Sequence, residues 1–166
     1  AVANIDQLIM IASAVIPITD PFLLDRMIAI GETQSFEKAT KITECLKGLR
    51  QGAPKNFYQA LQLIYLYFLT SECIDRYQVR SLGNGLDRTL YPFYKRDLES
   101  GEYTEEELRH YLSYFLMQWY AIGNYWGQPF YLGGTLPDGS TRYNELSRMI
   151  GGVAVTEITR QSAEEM

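Results

Sequence analysis

A chain of 166 residues with 46% hydrophobic content and thirteen tyrosines is long enough to bury a sizeable core and too apolar to stay disordered. Its net charge of −5, with no stripe of Lys and Arg, argues against a nucleic-acid partner. The longest apolar run, about Leu61 to Leu69, is broken by tyrosine and bounded by polar residues. No membrane span is therefore expected.

The N-terminus lacks the basic, apolar and small-residue order of a signal peptide. It begins with Ala1, which fits an excised segment or a processed product. Cys45 and Cys73 belong to no CxxC or Cys/His metal pattern, so a reduced, cytoplasmic setting is the plain expectation. A disulfide between the two cysteines stays open.

Ala3 to Val15 reads as an apolar-rich helix ending before Pro17. Asp20-Pro21 offers an N-cap followed by proline at the first helical position, opening a helix to about Ile30 that Gly31 closes. From Phe36 to Leu49, Ala39, Ile42, Leu46 and Leu49 share one face, with lysines and glutamates opposite. Gly52-Ala53-Pro54 is the clearest break. It divides an N-terminal helical segment, 1–52, from a second segment, 53–166.

Phe57 to about Tyr77 is apolar almost all round, a pattern for a helix buried on several sides. Gln78 to Leu82 suits a short strand, and Tyr91-Pro92-Phe93-Tyr94 is expected to interrupt any helix there. Lys95 to Gly101 leads into a turn. Thr104-Glu105-Glu106-Glu107 is a capping box: hydroxyl and third-position carboxylate each satisfy a free backbone N–H. Leu108, Tyr111, Leu112, Phe115, Leu116, Trp119 and Tyr120 then follow helical spacing. Pro129 to Leu132 reads as a strand and Pro137-Asp138-Gly139 as a tight turn. Asn144 caps a final helix whose middle Gly151-Gly152 weakens.

Few residues suggest chemistry directly. His110, the sole histidine, sits on the solvent side of its helix with no second ligand at helical spacing, so metal binding is disfavoured. Glu105, Glu106 and Glu107 complement a helix dipole better than they form a carboxylate pair. Asp87 could serve catalysis, but an aspartate fixing loop N–H groups is the stronger reading. The glycines at 83, 85, 133 and 134 make no GxGxxG or GxxxxGK[ST] loop, and no GxSxG phrase occurs.

Four phrases in order carry a resemblance. Phe57-Tyr58-Gln59-Ala60-Leu61-Gln62 comes first, then Ser81, Gly83, Asp87, Leu90, Tyr91, Pro92, Tyr94 and Asp97. Gly101 with Thr104 to Leu108 is next. Last are Gly133, Gly134, Pro137, Asp138, Gly139, Asn144, Glu145, Leu146 and Ser147. Together they resemble glycyl radical enzymes of the pyruvate formate-lyase type. Two departures stand out: Gly83-Asn84-Gly85-Leu86 where the family usually has Gly-Arg before the aspartate, and Arg88 where glutamine is common.

The resemblance implies a fold that is mainly α with a few short strands, as part of the family's ten-stranded α/β barrel. It implies a parent lyase, with mild preference for the dehydratase and decarboxylase branches of anaerobic metabolism. The substrate would be small and polar: a diol, an amino alcohol, a hydroxyproline-like compound or an arylacetate. By position, Gln78, Val79 and Arg80 would line one wall of the substrate cavity, and Trp126, Gln128 and Phe130 another. The competing reading makes Trp126 and Phe130 simple core residues and places Gln78 at a helix end.

Family chemistry needs a thiyl cysteine in a GCxE phrase and a glycine in an RVxGY phrase. A separate S-adenosylmethionine-dependent iron–sulfur activating enzyme oxidises that glycine. Neither phrase occurs here, and Cys45 and Cys73 do not suit the thiyl role. The expectation is an internal fragment, inactive alone, binding no cofactor itself and partnered by the rest of its parent chain or by self-association. The alternative is a truncated, non-catalytic helical binding or oligomerisation module.

Overall fold

The computed structural model describes residues 21–74, 85–121 and 130–164. The chain divides into two compact units, Ala1–Ile74 and Asp75–Met166. The described residues form α1 (Pro21–Glu32), α2 (Glu37–Gln51), α3 (Phe57–Ile74), α4 (Leu86–Ser100), α5 (Glu105–Ala121) and α6 (Glu145–Glu164). The expected helix at Ala3 to Val15 and strand at Gln78 to Leu82 lie outside the described residues. Among the described residues there is no strand; Thr135 and Thr141 form an isolated antiparallel bridge, and Tyr131 is also a bridge residue.

In the first unit, α2 packs on both α1 and α3. Leu24, Cys45, Leu46, Leu49, Leu63 and Leu66 form its core, with Met27, Ile28, Tyr58 and Tyr67 against it. Each buried leucine contributes about 1.5–3 kcal/mol of transfer free energy. α3 also buries Phe57, Ala60, Leu61, Ile64 and Phe68, the many-sided burial its composition demands. Asn56 caps it: the Asn56 side-chain oxygen accepts the Gln59 N–H at 2.9 Å. Exposed ion pairs, Arg50 to Asp25 at 2.9 Å and Lys47 to Glu32 at 3.0 Å, add little to this.

Two expectations change here. Gly31 does not close α1, which runs to Glu32. Its missing side chain instead makes room for the Thr43 side chain, where a Cβ would collide with Oγ1. Ile42 is 42% exposed, whereas Thr43 and Cys45 turn inward with Ala39, Leu46 and Leu49. Buried residues lie on both sides of Ile42 along the helix, so the covered face is turned toward Thr43 and away from Ile42, and helical spacing alone misplaces its edge.

In the second unit, α6 packs on both α4 and α5. Its buried residues are Leu86, Leu90 and Tyr94 of α4, Leu108, Leu112, Phe115, Leu116 and Trp119 of α5, and Leu146, Met149, Ile150 and Val153 of α6. The capping box of α5 forms as read: Glu107 N–H donates to Thr104 Oγ1 at 3.2 Å, and Thr104 N–H to Glu107 Oε2 at 2.8 Å. Tyr120, in phase with the apolar positions, is nevertheless 68% exposed near the end of α5.

The helix expected to break at Tyr91-Pro92 does not break. α4 runs through Pro92, well past the first turn where proline is tolerated, at a typical cost of about 3 kcal/mol. Leu86, Asp87 and Leu90 are buried before it and Tyr94 and Asp97 after it. Anchorage on both sides outweighs the local preference. α6 likewise continues through Gly151-Gly152, with Ile150 and Val153 buried on either side.

The strand expected at Pro129 to Leu132 does not extend over 130–132, where only Tyr131 is a bridge residue. The Tyr131 carbonyl accepts the Gly85 and Leu86 N–H groups, at 3.0 and 3.3 Å, supplying partners that the head of α4 lacks. The turn at Pro137-Asp138-Gly139 is present. Gly139 N–H donates to Leu136 O at 2.9 Å, and the Asp138 carboxylate accepts the Ser140 N–H at 3.0 Å and hydroxyl at 2.6 Å.

Candidate functional site

Of the six residues assigned to the cavity walls, Gln78, Val79, Arg80, Trp126 and Gln128 lie outside the described residues. Phe130 is described and half-buried. What the second unit does bring together is the described residues of the two long sequence phrases, 85–101 and 130–147.

Asp87 is the centre. It occupies the first turn of α4, where a carboxylate favours the helix dipole, and it is 0% exposed. Its Oδ2 accepts the Gly133 N–H at 2.9 Å and the Ser147 hydroxyl in a short hydrogen bond. Oδ1 is buried with no hydrogen-bond partner. Gly133 and Gly134 hold φ angles of 69° and 115°, a left-handed turn that lets the Gly133 N–H face Asp87 and that other residues would adopt only under strain. Asp87 therefore takes the loop-fixing role, by way of one backbone N–H and one hydroxyl.

Ser147 is itself locked by the cap of α6. Asn144 Oδ1 accepts the Ser147 N–H, and Ser147 Oγ accepts the Asn144 N–H, each at 2.9 Å. This is the reciprocal logic of a capping box with serine in the third position. The same hydroxyl thus accepts a hydrogen bond from the Asn144 backbone N–H and donates one to Asp87.

A second tie runs alongside. The Tyr91 hydroxyl donates to Glu145 Oε2 at 2.8 Å. That bond pushes the Tyr91 phenol above its usual range, with burial adding to it. The Glu145 carboxyl is held below the usual carboxylate range, first by its own backbone N–H at the head of α6 and then by Tyr91. At the far end of α4, the buried Asp97 carboxylate meets the Arg96 guanidinium at 2.7 Å. The Asp97 carbonyl accepts the Glu102 and Tyr103 N–H groups at 3.1 and 3.4 Å, closing the helix.

The sequence named Asp87, Tyr91, Asn144, Glu145 and Ser147 as phrase members but did not join them. Their partners lie 46 to 60 residues apart, and the only local signal was the Asn144 cap. The remaining candidates stay bland. His110 is exposed and meets the Tyr114 ring edge-on, with centroids 4.7 Å apart. Among the described residues no cluster of His, Cys, Asp and Glu could hold a metal ion, and no helix is long and apolar enough to cross a membrane. Cys45 is a free, buried thiol whose pKa burial pushes up to about 12, so almost no thiolate exists at neutral pH.

Residues 26–151 match the family described as pyruvate formate lyase-like. The chain is 28% identical over 132 residues to the 4-hydroxyphenylacetate decarboxylase glycyl radical subunit of Clostridioides difficile, in strains 630 and CD196 alike. That match covers 72% of this chain and 14% of the relative. The fold is similar to that of a glycyl radical enzyme from Archaeoglobus fulgidus, with a TM-score of 0.63 at 21% identity over 91% of this chain and 20% of that one. The chain thus spans about a seventh of the length of the curated relatives it matches. With the larger part of its length accounted for by that family, and its two long phrases joined at Asp87 and Tyr91, the chain belongs to the pyruvate formate lyase-like family.

Proposed function

We infer that this chain is a segment of a larger glycyl radical lyase, in which it forms helical casing and part of the substrate wall. The carrying observation is the family match over residues 26–151 beside the absence of GCxE and RVxGY phrases from all 166 residues. On this reading the thiyl cysteine and the radical glycine are supplied by sequence outside these residues. A separate activating enzyme installs the radical, and the segment holds no cofactor of its own. Cys45, deep among leucines and protonated, is not a substitute.

The substrate is small and polar, and the setting is cytoplasmic. The relatives' name puts an arylacetate ahead of a diol, an amino alcohol or a hydroxyproline-like compound, with decarboxylation as the reaction branch. Arg80 supplies a cation for a carboxylate, and Gln78 and Gln128 supply amides that orient a polar group. Trp126, Phe130 and Val79 exclude water, which both strengthens those contacts and protects reactive intermediates.

Intact mass of the natural gene product, with sequencing past Met166, tests this first. A much longer chain carrying both phrases is expected, and electron paramagnetic resonance after anaerobic activation should then show a glycyl radical. A natural end at Met166 would overturn the reading in favour of a truncated binding or oligomerisation module. So would a full chain that never acquires the radical.

A further inference from the structure

We propose that Asp87 is a positioning residue for the substrate wall: it fixes the backbone of residues 131–133, and with it the placing of Phe130. This deepens the reading above and rests on it. The segment is held at two points by one turn of one helix. Gly85 and Leu86 N–H groups grip the Tyr131 carbonyl, and two residues later Asp87 Oδ2 grips the Gly133 N–H. Residues 132–134 lie in no helix or strand, so beyond the bridge residue Tyr131 no extended ladder satisfies this backbone, and these bonds hold it. Phe130 adjoins the first grip, and a shift in the 131–133 backbone carries its ring along.

Burial makes the hold firm. A charged acceptor bonds about twice as strongly as a neutral one, and the Asp87 carboxylate is itself 0% exposed. The Ser147 hydroxyl, set by the α6 cap, fixes the carboxylate's rotation. The 131–133 backbone is thereby referenced to two helices, α4 directly and α6 through Ser147.

The test is amide hydrogen exchange on the natural full-length protein, read over 130–134 and separately over α6. Asp87→Ala should speed exchange over 130–134 by about tenfold or more, the equivalent of about 1.4 kcal/mol. Asp87→Asn keeps the shape and a neutral acceptor oxygen, so a smaller acceleration is expected. Asn144→Ala, which weakens the α6 cap and leaves the Gly133 bond in place, should speed α6 and speed 130–134 far less than Asp87→Ala does. Unchanged exchange over 130–134 in the Asp87 variants would overturn the proposal. Equal acceleration in Asn144→Ala would too, because Asp87 would then be only a general stabiliser.

Should Asp87→Ala fail to fold, Asp87→Asn against Asn144→Ala decides. In activated protein assayed with 4-hydroxyphenylacetate as probe substrate, Asp87→Asn should raise KM about tenfold at unchanged radical yield. A KM equal to wild type counts against the proposal. If wild type acquires no radical, the functional reading fails by itself, and exchange still decides what Asp87 does.

Discussion

The two units are built on different currencies of contact. In the first, the residues that meet between helices are apolar: Leu24 on α1, Cys45, Leu46 and Leu49 on α2, Leu63 and Leu66 on α3. In the second, comparable apolar packing of α4, α5 and α6 is joined by a buried carboxylate that links three distant stretches of chain. Apolar packing is non-directional and tolerates a neighbour of similar volume. A buried carboxylate specifies where its donors must be, and it penalises every alternative. Three of the four family phrases lie in the unit that uses the second device, where hydrogen-bond geometry sets the identity of Asp87, Asn144 and Ser147.

Replacing the centre of each unit separates the two most sharply. Asp87→Ala strands the Gly133 N–H, takes the main acceptor from the Ser147 hydroxyl and should cost about 4 kcal/mol by denaturant titration. Asp87→Leu, branched alike but larger and without an acceptor, should recover little of it. Leu46→Ala should cost about 3 kcal/mol through the cavity it leaves, and Leu46→Met should recover most of that. If Asp87→Leu proved as mild as Leu46→Met, the contrast between the units would collapse.

A smaller probe is the α6 cap. Asn144→Ala removes the acceptor of the Ser147 N–H and should lower stability by about 1 kcal/mol, seen as a lower denaturation midpoint at unchanged slope.

The least effect is expected at Tyr91→Phe, read as a change in pH dependence. Glu145 is depressed in the folded state, so its contribution is present above the ordinary carboxylate pKa and lost as pH falls through the folded value. Tyr91 is raised, so its contribution holds below the ordinary phenol pKa and is lost as pH rises through the folded one. Melting temperatures of wild type and variant should therefore differ at neutral pH and converge at both acidic and strongly alkaline pH. A constant gap across that range would show that the hydroxyl bond to Glu145 is not the source.

Elements governed by neighbouring residues were legible in the sequence. Thr104 and Glu107 satisfy each other three residues apart, Asn144 caps α6, and Asp138 closes its own turn. The family itself was legible from its phrases. What could not be read depended on packing at long range. Pro92 should have ended a helix, yet buried residues on both sides hold α4 together. Ile42 shares the spacing of a buried face but sits at its exposed edge, because the face is turned toward Thr43. Residues 130–132 have strand-like composition, but the Tyr131 carbonyl is taken by the head of a helix. The Asp87 contacts span 46 and 60 residues, and no local pattern announces a bond of that reach.

Pro92 also bears on the order in which the chain is made. A helix with proline in its body has little tendency to persist unaided, and α4 must wait for anchors to form around it. Its polar anchors emerge late: Gly133, Glu145 and Ser147 leave the ribosome 46 to 60 residues after the α4 residues they bind. Until then the Asp87 carboxylate stays hydrated. The first unit, complete by Ile74, needs nothing so distant among its core contacts, so birth order alone places its assembly before that of the carboxylate node.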